Sequence, residues 1–248
     1  MILRQWDRHH PTALTILRPR MARYYGPAAD AVLLDPYPIP TQPLTWMSNS
    51  IDMTRRALGP TKQIWAIVQA FNWGDEPGHP KNRPGRFPTN AEQRALAYLA
   101  ITHQANGIFF FQEKHGRKKS GHWKGVKTLV NELNCLQPLL LSAAASWQPQ
   151  LQSASFDLKG RPWVHFLVKH LGKKRTPSPA VGCPFLKKGH YLIAVNAVSN
   201  PTLVVFRGFS EKGTTADIFQ GKKKNYSGGK LSEIMEAHGV RIWYLGGG

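Results

Sequence analysis

The chain has 248 residues, with 33 Lys+Arg against 14 Asp+Glu for a formal charge of +19, and 42% of its residues are hydrophobic. That apolar share is ordinary for a globular protein and excludes wholesale disorder. No apolar run approaches the roughly 20 residues a membrane span requires, so no membrane partner is expected.

Taken in chain order, residues 12–17 (TALTIL) are short and β-branched and predict a first strand. A helical turn at residues 21–25 is expected to stop at Gly26-Pro27. Residues 31–34 (AVLL) form the continuous apolar run of a strand buried on both faces, ended by Asp35-Pro36-Tyr37-Pro38. Leu44, Met47, Ile51 and Leu58 recur at about helical spacing, and Gly59-Pro60 closes that helix. Residues 64–71 (IWAIVQAF) predict the next strand, followed at 72–88 by a Gly- and Pro-rich loop whose length points to function. Thr89 and Glu92 have the spacing of a capping box; their helix passes Leu96, Leu99 and His103 to a left-handed stop expected at Asn106-Gly107. Residues 108–111 (IFFF) are the fourth strand. From Trp123, the stripe Val126, Leu129, Val130, Leu133 and Leu136 predicts a further helix that Pro138 interrupts or ends. Such alternation marks parallel strands joined by crossover helices.

Beyond residue 147 the pattern changes to short strands at 163–168, 191–198, 202–207, 216–219 and 240–245, without long helices. That spacing indicates an antiparallel sandwich or barrel. Two domains are expected, a β/α domain over 1–150 and a β domain over 151–248, with the boundary near 148–155. The charge is diffuse: residues 1–150 hold 18 Lys+Arg and 9 acids, and residues 151–248 hold 15 and 5. The runs Arg117-Lys118-Lys119, Lys173-Lys174-Arg175, Lys187-Lys188 and Lys222-Lys223-Lys224 sit beside Gly, Ser or Pro and read as solvated loop tips. With no aromatic-plus-basic signature, nucleic acid is the least favoured partner. Cys135 and Cys183 are too few for a disulfide framework and lack neighbours at metal-ligand spacing, so both read as ordinary thiols. The first ten residues lack the basic start and the run of about 7 to 15 apolar residues of a secretory leader. The expected location is cytoplasmic for the chain as it stands, and extracellular or periplasmic if an upstream region precedes it.

The succession HHPT (9–12), ADAVLLDPYPIP (29–40), QIWAIVQAFNWG (63–74) and RFPTNAEQRALAYLAITHQANGIFFF (86–111), with a β region ending VRIWYL, resembles glycoside hydrolases of the (β/α)8 TIM-barrel type. It is similar to the C-terminal half of their barrel followed by their C-terminal β-sandwich. The resemblance implies that the four strands are strands five to eight, and that strands one to four are absent from this sequence. A half barrel exposes two edges and an apolar inner face, so it implies self-association, pairing with a complementary N-terminal half, or aggregation.

In such barrels the active site lies at the C-terminal ends of the strands, so the candidates directly follow each apolar run. Glycoside hydrolysis needs two carboxyl groups, about 5 to 5.5 Å apart for retention or about 6.5 to 9.5 Å for inversion, one of them protonated. Asp35 is the first candidate, as an acid raised by desolvation at the end of a buried strand; the competing reading is an Asp that fixes the Pro36–Pro38 turn. Glu113 is the second, against a structural pairing with Lys114. The resemblance implies a Glu near the end of the seventh strand, where this sequence has Gln69, an amide that orients a hydroxyl but cannot attack an anomeric carbon. Tyr37, Gln69, Asn72, Trp73, Glu76 and Gln112 are the expected sugar contacts, with Phe71 and Trp123 as further stacking surfaces, since sugar rings stack on aromatics while their hydroxyls take hydrogen bonds. His79, His115 and His122 lack the spacing of a metal triad, and no metal or cofactor is expected. The expected activity is O-glycosyl hydrolysis of a carbohydrate substrate if the full barrel is present. The rival readings are a non-catalytic carbohydrate-binding module or pseudoenzyme and, last, a polyanion-binding protein.

Overall fold

The computed structural model describes residues 6, 7, 9–112, 121–153, 162–173 and 183–246. The chain divides into two compact units, Met1–Arg117 and Lys118–Gly248.

In the first unit β1 (Ala13–Ile16), β2 (Ala31–Leu34), β3 (Gln63–Gln69) and β4 (Gly107–Phe111) lie in that order in one parallel sheet. Short helical turns over Pro19–Met21, Ala22–Tyr25 and Gly26–Ala28 join β1 to β2, while α1 (Thr45–Leu58) and α2 (Asn90–Thr102) make the longer crossovers. Side chains alternate across a strand, and here the alternation is visible in burial. Val32, Leu34, Ile64, Ala66 and Val68, of one parity, are fully buried, and α1 and α2 pack against β3. Each buried Val, Leu or Ile contributes roughly 1.5–3 kcal/mol. On the opposite parity Leu33 and Trp65 are half-buried, and Phe109 and Phe111 stay 46% and 42% exposed.

The helix ends show how local chemistry fixes this unit. α1 stops at Gly59, whose φ of +86° suits a residue without Cβ and whose N–H donates to the Arg55 carbonyl at 2.9 Å. α2 starts on the expected capping box: Glu92 N–H donates to Thr89 Oγ1 at 3.2 Å, and Thr89 N–H donates to the Glu92 carboxylate at 2.8 Å. The stop of α2 differs from expectation. The positive φ, 61°, falls on Gln104, and Asn106 instead sets the start of β3, donating its N–H to the Ile64 carbonyl at 2.7 Å and accepting the Ile64 N–H on its side chain at 2.9 Å.

In the second unit α3 (Gly121–Leu140) runs through Pro138 rather than ending there. The proline sits in the last turn, where its missing N–H removes one bond close to the end. Lys169 Nζ caps this terminus, donating to the carbonyls of Leu140 at 2.7 Å and Ser142 at 2.6 Å. α3 packs on a strand of this unit, so the compact units divide ahead of this helix, whereas the sequence pattern changes after it. Trp123, expected at the start of this helix, lies in its first turn and belongs to the second unit.

Eight strands, β5 (Gln150–Ser153), β6 (Val164–Leu171), β7 (Gly189–Asn196), β8 (Thr202–Arg207), β9 (Lys212–Asp217), β10 (Lys223–Ser227), β11 (Lys230–Met235) and β12 (Val240–Gly246), form one antiparallel sheet ordered β5-β8-β11-β10-β9-β12-β7-β6. The sheet curls on itself. Phe166 of the edge strand β6 meets Phe206 of β8 with ring centroids 5.4 Å apart, around a core that includes Val164, Val168, Leu192, Val204, Leu231 and Trp243. One segment ties the two edges: Ala145 N–H donates to the Val168 carbonyl on β6 at 2.8 Å, Gln148 bonds both backbone groups of Val168 at 2.7 and 3.1 Å, and β5 then pairs with β8.

Two sequence readings are corrected in this unit. Lys223 and Lys224 are not at a loop tip but in β10, where Lys224 pairs with Glu233 at 3.0 Å, and β10 turns into β11 through Gly228 and Gly229, both at positive φ. Cys135 and Cys183 are not free thiols. They form a disulfide between positions 48 residues apart whose Cα atoms approach to 5.2 Å, a proximity created by folding and not written in local spacing. Among the described residues no helix is long and apolar enough to cross a membrane.

Candidate functional site

Because β1 to β4 are parallel, their C-terminal ends lie along one edge of the sheet, and the loops leaving them meet there, the usual place for a site in open α/β sheets. A cavity of about 670 Å³ lies at that edge. Leu17 following β1, Asp35 and Tyr37 following β2, Trp46 in the first turn of α1, and Trp73, Glu76, His79 and Arg83 from the loop after β3 line it.

That loop is folded on itself. Asn72 accepts the Gly74 N–H at 2.8 Å and donates to Asp75 Oδ1 at 3.1 Å. Gly85 packs directly on Gly74, where a Cβ would come to 2.6 Å from the Gly74 Cα, so any larger residue would part the two limbs. Beyond Gly85, Arg86 grips Glu92 of α2 through two bonds of 2.7 Å. Burial alone would push the Glu92 carboxyl up, but the Arg86 guanidinium and the Thr89 backbone outweigh it and hold the group at about 2.

The cavity rings Tyr37, Trp73 and His79 belong to an aromatic cluster that continues behind the lining through Phe71 and Phe111. Tyr37 stacks on Phe111 with centroids 5.8 Å apart and meets Phe71 edge-on at 5.0 Å, Phe71 meets Trp73 at 4.9 Å, and His79 stacks on Trp73 at 6.3 Å. Beside these rings sits Asp35. Its Oδ1 is buried without a hydrogen-bond partner, the one carboxylate oxygen so placed among the described residues. Desolvation pushes the Asp35 carboxyl above its ordinary range, against a smaller opposing influence of its own backbone. Burial, reinforced by the charge of Asp35, pushes the Tyr37 phenol up as well.

The structure thus brings Asp35, Tyr37, Trp73 and Glu76 to one cavity and places Gln112 against it, its Nε2 donating to Glu76 Oε1 at 3.1 Å. Gln69 has another role. It is fully buried, accepts the Ile39 N–H at 3.0 Å and donates to the carbonyls of Ile39 at 2.9 Å and Phe71 at 3.2 Å. Its amide therefore pins the loop after β2 and does not line the cavity. Asn72 likewise shapes its own loop. Glu113 and His115 lie outside the described residues. Sequence reasoning missed Trp46 and Arg83; the signal for Trp46 was its place in the helical turn directly after the β2 loop, and for Arg83 its place between prolines in the long loop. Among the described residues no three His, Cys, Asp or Glu side chains converge as a metal site.

No protein-family model matches the sequence, and no curated protein matches it. Solved structures do. A glycoside hydrolase family 5 protein from Bacteroides vulgatus is similar with a TM-score of 0.57 at 13% identity, over 99% of this chain and 57% of that one. AmyP in complex with maltotriose is similar with a TM-score of 0.50 at 10% identity, over 94% of this chain and 50% of that one. The chain has a glycosidase-like fold. It spans 57% and 50% of the lengths of these two chains.

Proposed function

We propose that the chain is the acid-bearing, sugar-binding part of a glycoside hydrolase, with β1 to β4 as strands five to eight of a (β/α)8 barrel and the curled sheet as its C-terminal β-sandwich domain. The observation that carries this reading is Asp35 at a strand end, which lines a cavity walled by Tyr37 and Trp73 while one of its carboxyl oxygens, Oδ1, is buried without a partner. A carboxyl whose pKa burial raises there suits a general acid, donating its proton to the glycosidic oxygen as the bond to the anomeric carbon breaks. Glu76, the other carboxylate lining the cavity, or Glu113 supplies the second carboxyl that the chemistry needs. In this reading the face bearing Leu33, Trp65, Phe109 and Phe111 is the barrel interior, which further β/α units from a complementary polypeptide complete.

The test is turnover of aryl glycosides and oligosaccharides by wild type, Asp35→Asn and Glu76→Gln, each alongside binding of the same oligosaccharides. Loss of one proton-transferring carboxyl is expected to lower the rate by roughly 10²- to 10⁴-fold while Asp35→Asn keeps oligosaccharide affinity. Wild-type turnover in Asp35→Asn, or absence of binding to any carbohydrate, contradicts the proposal. A second reading, a binding module without turnover, is favoured by Gln69, since the end of β3 carries a buried amide and no acid; binding without hydrolysis in wild type is its signature.

A further inference from the structure

Resting on the reading that this cavity holds sugar, we propose that it selects carboxylated sugars, uronate residues, through Arg83. The charged groups lining the cavity are unequal in availability. Asp35 is held toward its neutral form by burial, and Glu76 is engaged by Gln112. The Arg83 guanidinium lines the same cavity and makes no hydrogen bond or ion pair among the described residues. Its backbone, by contrast, is anchored on both sides: Arg83 N–H donates to the Pro80 carbonyl at 3.0 Å, and the Arg83 carbonyl lies 3.4 Å from His79 Nε2. His79 is in turn stacked on Trp73.

The result is a free cation on a loop whose conformation is already restricted. Pro80 and Pro84 fix backbone angles on either side, and the Gly74–Gly85 contact closes the base of the loop. A guanidinium presents parallel N–H donors that match a carboxylate in bidentate fashion. The backbone has little freedom left to lose when such a partner arrives, so the cost of pairing falls on the Arg83 side chain, and a bidentate charged contact offsets it better than a single hydroxyl does. Burial holds Asp35 toward its neutral form and so weakens its repulsion of an anionic sugar, while the Glu76 carboxylate beside Gln112 adds a repulsion that the bidentate pairing with Arg83 has to outweigh.

The diffuse charge of +19 offers a rival source of anion affinity, and salt separates the two, because exposed charges are screened beyond about 8 Å at roughly 0.15 M ionic strength. The experiment is calorimetric titration at that ionic strength with a uronate oligosaccharide, a neutral oligosaccharide of equal length and a sulfated one, for wild type, Arg83→Gln and Arg20→Gln, the last an exposed arginine that does not line the cavity. The uronate oligomer is expected to bind wild type about 10-fold more tightly than the neutral one, the scale of one charge-assisted contact. Arg83→Gln is expected to reduce that preference to within about twofold, with the loss falling mainly on the uronate oligomer, and Arg20→Gln to leave the preference unchanged. Equal wild-type affinity for uronate and neutral oligomers, a preference that survives Arg83→Gln, or tighter binding of the sulfated oligomer each overturns the inference while the sugar-binding reading stands. Failure of every sugar to bind overturns both.

Discussion

Lys169 and Asn196 in the second unit and Asp35 in the first hold polar atoms away from water, Gln148 holds its amide on the backbone at an exposed edge, and of these four side chains only Asp35 leaves a buried oxygen without a partner. In the curled sheet the polar groups replace backbone partners where the ladder ends or bends. Lys169 closes the terminus of α3, Gln148 extends the edge of β6, and Asn196 donates to the carbonyls of Asn200 at 2.8 Å and Glu236 at 2.9 Å. In the parallel sheet Gln69 and Asn106 do the same work below the cavity, yet Asp35 at its floor is unpaired. A buried polar atom without a partner costs roughly 1–3 kcal/mol. In the antiparallel unit these side chains serve cohesion, whereas the parallel unit leaves buried oxygens of Ser50, Thr54, Gln93 and Asp35 without partners, and of these Asp35 alone is ionisable and lines the cavity.

That contrast can be broken or sharpened from the core outward. Phe206→Ala is expected to cost roughly 3–5 kcal/mol of stability, read by denaturant unfolding. A cost below about 1 kcal/mol would mean that Phe206 does not anchor the curled sheet. Reducing the Cys135–Cys183 disulfide, which closes 48 residues of chain, is expected to remove about 2–4 kcal/mol, measured in matched oxidised and reduced samples. Unchanged stability after verified reduction would leave the curled sheet dependent on packing and hydrogen bonds only.

Two of the perturbed carboxylates, Glu92 and Asp35, respond to pH in opposite directions. Glu92 lies at about 2 when folded against an ordinary 4.5, so its contribution is complete above pH 4.5 and is lost as pH falls toward 2. Glu92→Gln is expected to cost about 1–2 kcal/mol at neutral pH and to flatten that acid loss. Asp35 is raised, so its ionisation opposes folding above its ordinary range. Asp35→Asn is therefore expected to leave the thermal midpoint unchanged or higher at neutral pH. A clear fall would show that Asp35 is satisfied in solution and serves the turn.

Much of the fold was legible because its signals are local. Val32 and Leu34 announce a buried strand, Thr89 with Glu92 announces a helix start, and Gly59 a stop. The site was legible in part for the same reason: parallel strands put Asp35, Tyr37, Trp73 and Glu76 at one sheet edge. What stayed hidden depends on direction or on distant partners. The position of Gln69 predicts a strand end but not that its amide turns back to the Ile39 backbone. β10 is polar because both Lys223 and Asn225 are exposed, so no apolar alternation reveals it, although Gly228-Gly229 is a hairpin signal. The pairing of Cys135 with Cys183 exists only once α3 and the strands have packed.

Titration of Asp35 itself decides whether the carboxyl at the end of β2, with one oxygen buried and unpartnered, releases its proton at a higher pH than an ordinary aspartate. Carboxyl ¹³C chemical shifts followed across pH, with Asp35→Asn to assign the resonance, report its midpoint in the folded chain. The account predicts a midpoint above the ordinary 3.8 of an aspartate. A midpoint at or below 3.8 would contradict it, leaving Asp35 as a turn residue and the cavity without its acid.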